Sequence, residues 1–309
     1  MFENQERNKF DIDPNTKILV TCGNSNLGGN VIKYLLEKNY PAKNITTTVR
    51  SLQKGGKWKE KGIEIRIADY KNYESLEKAF TGVDRIYMVS SVGEPNYPRE
   101  KQHLNVVEAA KKCNVKLIVY SSFVNCQNNT NFVANDHKYT EKLLEESGLN
   151  YSIARNATYI ECEGPLFKYL MKKDNNILYN SCGDKKIALV LISELGEAGA
   201  SILLKKENKK IYELSGKPVS FFDIKNVMEK ITGKEIKIVD ISNDEIDKKY
   251  EELGCGKYYG MMCRFMNIDY SNGIYDVQST DLEDLIGHPS TSLEDAIKYV
   301  INSPDYFPM

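Results

Sequence analysis

The feature that most constrains this chain is the alternation, over its first half, of short Ile- and Val-rich runs with amphipathic helical patterns. Lys17–Thr21, Ile45–Val49, Ile63–Ile67, Arg85–Val89, Lys116–Tyr120 and Tyr151–Ala154 read as buried strands. Between them, Leu27, Val31, Tyr34 and Leu35 fall at helical spacing, and so do the patterns at Tyr73–Phe80, Arg99–Cys113 and Asp136–Ser147. A strand that is apolar along its whole length has to be covered on both faces, and a helix joining two such strands makes a parallel crossover. The alternation predicts an α/β fold: a Rossmann-type doubly wound parallel sheet.

Beyond Tyr159 the alternation loosens. Ser193–Leu204 and Phe221–Thr232 read as helices, Ile211–Leu214 as a strand, and the charge run Lys205–Lys210 as a solvated turn. The expected organisation is a polar tail over 1–16, a Rossmann domain over 17–158 and a smaller, mostly helical C-terminal substrate lobe over 159–309. Elements at about 193–216 return to the sheet in this reading. The Tyr-rich stretch Lys257–Tyr275 suits the core of the lobe, with self-association of a homodimer as the other option.

Composition excludes several classes. Lys and Arg number 42 against 43 Asp and Glu, a net charge of -1, so no long-range field favours nucleic acid or an anionic membrane. The longest strongly apolar run, Ile187–Ile192, is far short of the roughly 20 residues that span a bilayer. Met1–Asn15 has the pattern of neither a signal nor a transit peptide. Seven cysteines (22, 113, 126, 162, 182, 255 and 263) are scattered without a C-x-x-C pair, and His103, His137 and His288 lie at no metal-ligand spacing from them. The expectation is a soluble cytoplasmic protein with reduced thiols and no metal. The sequons Asn44-Ile45-Thr46 and Asn128-Asn129-Thr130 then read as chance.

Chemistry is sought first at the turn after the first strand, where a doubly wound sheet receives a pyrophosphate on a helix N-terminus. The segment is Thr21-Cys22-Gly23-Asn24-Ser25-Asn26-Leu27-Gly28-Gly29, and a G-x-x-G-x-x-G template falls on Cys22, Ser25 and Gly28. In one reading Gly23, Asn24 and Asn26 supply a permissive backbone and Ser25 adds a hydroxyl beside the phosphates. In the other the loop is a plain strand-to-helix turn that has lost the dinucleotide. The second strand ends in Arg50, with Lys54 close behind, where an NAD enzyme carries an acid for the ribose. Arg50 suits the 2′-phosphate of NADP, or is a solvated surface arginine.

At this point the chain resembles the NmrA-like branch of the atypical short-chain dehydrogenases, and within it the type-2 NAD(P)H:quinone oxidoreductases. The resemblance is carried, in order, by Thr21–Gly28, Val49-Arg50, Ala68-Asp69-Tyr70, Val89-Ser90-Ser91, Tyr120-Ser121-Ser122 and His137-x-x-x-Glu141-Lys142. It continues through Arg155-Asn156-x-x-Tyr159-x-Glu161, Tyr212–Gly216 and Ile286–Leu293. It implies a Rossmann domain with a C-terminal lobe, NADP(H) as cofactor, and direct hydride transfer to a small-molecule quinone or similar carbonyl without a flavin. Carried over residue by residue, Gly23, Asn24, Ser25, Asn26 and Leu27 would meet the pyrophosphate. Arg50 and Lys54 would hold the adenosine phosphate, and Asp69 and Tyr70 the adenine edge. Ser90, Ser91, Ser121 and Ser122 would line the ribose, and His137, Asn156 and Tyr159 the nicotinamide and the acceptor, with His137 and Tyr159 as the catalytic pair.

The pattern also departs from that superfamily. Where many members place a Tyr-x-x-x-Lys pair, whose Tyr protonates the substrate, this chain has Val133 and His137. His137 could then give a proton near neutral pH, or act structurally through a hydrogen bond. Cys162 replaces the Asn usual in the quinone reductases. Ser290 is the expected cap of the helix at Leu293. The missing Tyr and eroded glycines also fit an alternative that the resemblance implies: a non-catalytic, NADP(H)-sensing regulator acting through a protein partner.

Overall fold

The computed structural model describes residues 10–51, 56–304 and 306. The strands β1 (Ile18–Val20), β2 (Ile45–Val49), β3 (Glu64–Ile67), β4 (Arg85–Met88), β5 (Leu117–Phe123) and β6 (Tyr151–Asn156) lie close to their expected positions. They are followed by β7 (Thr158–Tyr159), β8 (Ile177–Asn180), β9 (Lys186–Ile187), β10 (Leu189–Val190), β11 (Ile211–Leu214), β12 (Val219–Ser220) and β13 (Lys237–Asp240). The helices are α1 (Asn26–Glu37), α2 (Gly56–Lys59), α3 (Tyr73–Phe80), α4 (Arg99–Lys112), α5 (Phe132–Glu146), α6 (Gly164–Met171), α7 (Ile192–Leu204), α8 (Phe221–Thr232), α9 (Ile246–Glu252), α10 (Lys257–Ser271), α11 (Asp281–Ile286) and α12 (Leu293–Ile301).

Seven strands form one sheet in the order β11-β6-β5-β4-β1-β2-β3, and the pairings β3-β2, β2-β1, β1-β4 and β4-β5 are parallel. The order reverses at β1, which is the switch point where a doubly wound sheet opens toward ligands. Every residue of β1 and β2 is buried. The three threonines of β2 are satisfied there: Thr46 binds Glu64, Thr47 donates to the Val20 carbonyl at 2.8 Å, and Thr48 accepts from the Cys22 N–H. Branching at Cβ suits these side chains to a strand, and their bonds offset the loss of water.

The chain divides into two compact units. One comprises the described residues up to Phe123 together with Asp136–Arg155 and Ser193–Tyr212; the other comprises Val124–Asn135, Asn156–Ile192 and the chain from Glu213 onward. Two boundaries moved for local reasons. Helix α5 starts four residues before the expected Asp136, because the Asn131 side chain accepts from the Ala134 N–H at 2.9 Å and caps it. Helix α12 is capped by Ser292, which accepts from the Asp295 N–H, and not by Ser290, whose N–H and hydroxyl both bind Glu283. On α10, Tyr259, Cys263 and Tyr270 are buried as the core reading expected, while Tyr258, Met261, Phe265 and Ile268 face solvent on the other side.

Within the second unit Glu163 is 1 % exposed and accepts one hydrogen bond, from the Tyr259 hydroxyl at 2.6 Å. Burial raises its carboxyl from 4.5 to about 7. The folded state therefore favours the protonated acid, so this group's contribution is full below the unfolded value and is lost as pH rises through the folded one. The loss reaches at most about 3 kcal/mol. Glu163→Gln should flatten that component: thermal unfolding should show the variant more stable than wild type near about pH 8 and equal to it near about pH 4. Parallel stability profiles of the two proteins would refute this assignment.

Candidate active site

The turn between β1 and α1 is built by close approach. An ideal Cβ on Gly23 would stand 2.0 Å from the Thr47 Oγ1, and one on Gly28 2.6 Å from the Cys22 carbonyl oxygen. Gly28 thus does what the third glycine of the template does, letting the helix press against the strand end. The left-handed backbone falls on Cys22, at φ 53°, whereas Gly23, Asn24 and Asn26 were expected to provide it. Cys22 occupies the first template position, where the tight turn demands positive φ whichever residue is present, at a cost of roughly 1–2 kcal/mol. Ser25 does more than stand beside a phosphate: it is the N-cap of α1, and its Oγ accepts from the Gly28 N–H at 3.1 Å. Leu27 is buried behind the turn, and the Trp58 indole donates to the Gly23 carbonyl at 2.9 Å. Asn24, Ser25 and Asn26 open onto a groove of about 600 Å³ shared with Gly29, Lys57 and Trp58.

Arg50 is exposed at the carboxyl end of β2 and lies near enough to lower the Cys22 thiol, which burial raises overall; Asp69 acts on the same thiol in the opposite sense. The fold therefore gathers the turn, Arg50, Asp69 and Tyr70 into one place. Lys54 lies outside the described residues. Asp69 turns its carboxylate to the Lys71 N–H. Tyr70 is buried, its hydroxyl 2.6 Å from the Thr21 Oγ1 and 2.9 Å from the Val89 carbonyl, and burial pushes its phenol well above the usual tyrosine value. Its hydroxyl thus serves the sheet, leaving only backbone and ring edge for a ligand.

The serines divide by partner. The Ser90 N–H donates to the Ser121 Oγ at 2.8 Å, and the Ser122 Oγ donates to Glu141 at 2.5 Å. Arg155 closes on Glu141 through Nε at 3.0 Å and Nη2 at 2.6 Å, so Ser122, Glu141 and Arg155 form a buried network tying α5 to β5 and β6. The Ser91 N–H donates to the His103 Nε2 at 3.1 Å, which leaves the proton of that ring on Nδ1, facing Thr140 at 2.8 Å. The Ser91 hydroxyl is buried and has no hydrogen-bond partner.

His137 is buried, its Nδ1 2.7 Å from the Tyr120 hydroxyl and its ring stacked on Phe123 at 5.9 Å. Burial, and next the positive charge of Arg99, hold its pKa well below the ordinary histidine value. Such a ring is neutral near pH 7, which favours the structural of the two readings given for His137. His103 is held down in the same way, to about 3. In the second unit, the Asn156 amide has both its nitrogen and its oxygen buried without a hydrogen bond. It stands beside the Tyr159 hydroxyl at a geometry short of a bond; burial raises that phenol to about 12. Tyr159 meets Tyr306 edge to face at 6.1 Å.

Within the first unit, the orphaned Ser91 hydroxyl, the cradle at Gly28 and the cation at Arg50 are what a dinucleotide would complete. The chain matches the NmrA-like family over residues 14–294. It belongs to that family. Quinone oxidoreductase 2 of Escherichia coli is 29% identical over 289 residues, covering 92% of this chain and 99% of that protein. The crystal structure of the Escherichia coli NADPH-dependent quinone oxidoreductase complexed with NADPH superposes with a TM-score of 0.84 at 28% identity, over 92% of this chain and 100% of the other. The Citrobacter triphenylmethane reductase complexed with NADP(H) gives 0.82 at 28% identity, over 92% and 99%.

Sequence reasoning missed Arg99 and His103. Their spacing of four on the first turn of the helix after β4 was the available signal, since it puts both on one helix face at the ligand end of the sheet. The packing at Gly23 yields a direct test. Gly23→Ala should destabilise the protein by about 1–3 kcal/mol, and Thr47→Ala in the same chain should recover part of that loss. Strictly additive losses in a thermal double-mutant cycle would show that the two side chains do not compete for one space.

Proposed function

We propose that the protein is an NADPH-dependent reductase that passes a hydride directly to a quinone or similar carbonyl acceptor, without a flavin. The observation that carries this reading is Arg50, in place of a ribose-binding acid, beside a Gly28 turn that still brings a helix N-terminus against the strand ends. It is supported by relatives that are reductases matched over nearly their whole length. Bound NADPH supplies the hydride. The turn Gly23–Leu27 receives its pyrophosphate, Arg50 and Lys54 its 2′-phosphate, Asp69 and Tyr70 the adenine edge through their backbone. Ser90 and Ser91 meet the ribose, while Ser121, Ser122 and His137 fix the floor beneath them through internal bonds. Asn156 and Tyr159 serve the acceptor. The activities named for the relatives favour turnover over a sensing role.

Purified protein, free of flavin, should oxidise NADPH when para-benzoquinone is added. Arg50→Ala should weaken NADPH binding about tenfold while leaving NADH binding nearly unchanged. Stoichiometric NADPH binding with no turnover across a panel of quinones would sink the reductase and leave the sensor.

Cys22→Gly with Ser25→Gly relieves the left-handed cysteine and releases the Gly28 N–H from its cap. Calorimetry should show NADPH binding several-fold more tightly to this double variant. Unchanged affinity would mean that the turn does not hold the pyrophosphate.

A further inference from the structure

The ligand end of the first unit carries a charge that the roles above leave unused. Arg99 opens α4, immediately after the β4–α4 connection. Its Nε and Nη1 are buried and make no hydrogen bond. Nη1 forms an ion pair with Asp136 at 3.6 Å, too long for a hydrogen bond, so the charge is countered while the N–H groups stay without an acceptor. The hydroxyl of Ser91 is buried without a partner as well. A guanidinium does not lose its proton, and shielded N–H groups without acceptors are costly, so these donors are matched to an oxygen that arrives from outside. Burial and next the charge of Arg99 hold His103 and His137 neutral, so beside these rings the charged groups are Arg99 and its ion-pair partner Asp136.

We propose that Arg99 forms the oxyanion site of the reaction and makes the protein selective for quinones over simple aldehydes and ketones. This rests on the reductase reading. When a hydride arrives, two electrons and one hydrogen nucleus reach the quinone together. A carbon–hydrogen bond of the reduced nicotinamide would break as that ring is oxidised, the hydrogen would bond to one quinone oxygen, and the π electrons would shift so that the other carbonyl's π pair becomes a lone pair on its oxygen, giving a hydroquinone monoanion. Its charge is spread over an aromatic ring, so a fixed cation with aimed N–H groups suffices until water protonates the product. An aldehyde or ketone would instead give an alkoxide, a strong base that needs a proton during transfer. His137, the titratable ring on this side, is neutral and engaged with Tyr120.

The connection from Val92 to Pro98 folds back on α4, where the Gln102 amide donates to the carbonyls of Val92 at 3.2 Å and Tyr97 at 3.0 Å.

The test pairs a dye with kinetics. Para-nitrophenol, whose anion is yellow, is titrated with wild type, Arg99→Gln and Arg99→Lys in the presence of NADP+. Reduction of para-benzoquinone and of benzaldehyde by NADPH is followed on the same preparations. In wild type the bound dye should ionise at lower pH than the free dye, and benzaldehyde should not turn over. Arg99→Gln should weaken phenolate binding and lower kcat by about tenfold or more, with NADPH affinity changed by less than about twofold. Arg99→Lys should restore part of both losses. Unchanged phenolate binding and kcat in Arg99→Gln, a loss confined to NADPH affinity, or benzaldehyde turnover equal to that of the quinone would each overturn the proposal. If Arg99→Gln fails to fold, Arg99→Lys against wild type carries the comparison. A wild type that binds phenolate through Arg99 but reduces no quinone refutes the reductase and leaves Arg99 as an anion site.

Discussion

The Thr21 hydroxyl sits at the carboxyl end of the central strand and holds the ligand side of the sheet in one geometry. It accepts from the Val89 N–H at 2.9 Å, lies 2.6 Å from the Tyr70 hydroxyl, and donates to the Tyr87 carbonyl at 3.2 Å. Three segments that leave the sheet after β1, β3 and β4 therefore meet on one buried oxygen. In surroundings closed to water such bonds are strong when complete and expensive when broken, so their joint satisfaction specifies a single arrangement. The turn at Cys22, the peptide after Asp69 and the Ser90-Ser91 pair all take their positions from it.

That anchoring makes the irregularities of the turn tolerable. Cys22 is held at positive φ by the peptide bonds around it: its N–H meets the Thr48 hydroxyl, and the Ser25 N–H meets its carbonyl at 2.8 Å. A surrounding structure that determines the backbone from both sides can keep a non-glycine residue where glycine would be easier. The same economy applies at α1, whose first turn is satisfied internally by Ser25. A helix N-terminus capped by its own chain is stable without a ligand, and a phosphate has to compete with a serine hydroxyl for its N–H groups.

At the neighbouring strand ends the chain has exchanged a titratable acid for fixed charge. Two buried histidines are kept neutral, His103 and His137, each first by its burial and next by the positive charge of Arg99. Under the proposed reductase reading, this end of the sheet offers fixed charge in place of a proton donor, a balance that suits acceptors whose reduced form is itself a stable anion.

Much of the architecture was legible from residues alone. Burial on both faces of a parallel sheet writes itself as continuous apolar runs, and capping chemistry marks helix ends. Phe221–Thr232 was read to the residue because Ser220 and Asp223 form a reciprocal capping box and Gly233 closes the helix in the left-handed region. The order of the short motifs likewise pointed to the family before any geometry. Only the tertiary structure decided what each motif residue does. Whether Tyr70 faces a ligand or the sheet, whether Ser122 is free or bound to Glu141, and whether His137 is charged depend on neighbours far away in the chain. Arg99 lay hidden in the sequence for the same reason: an arginine on a helix reads as solvated, and its buried N–H groups without hydrogen-bond acceptors exist only once the fold has set it against Asp136.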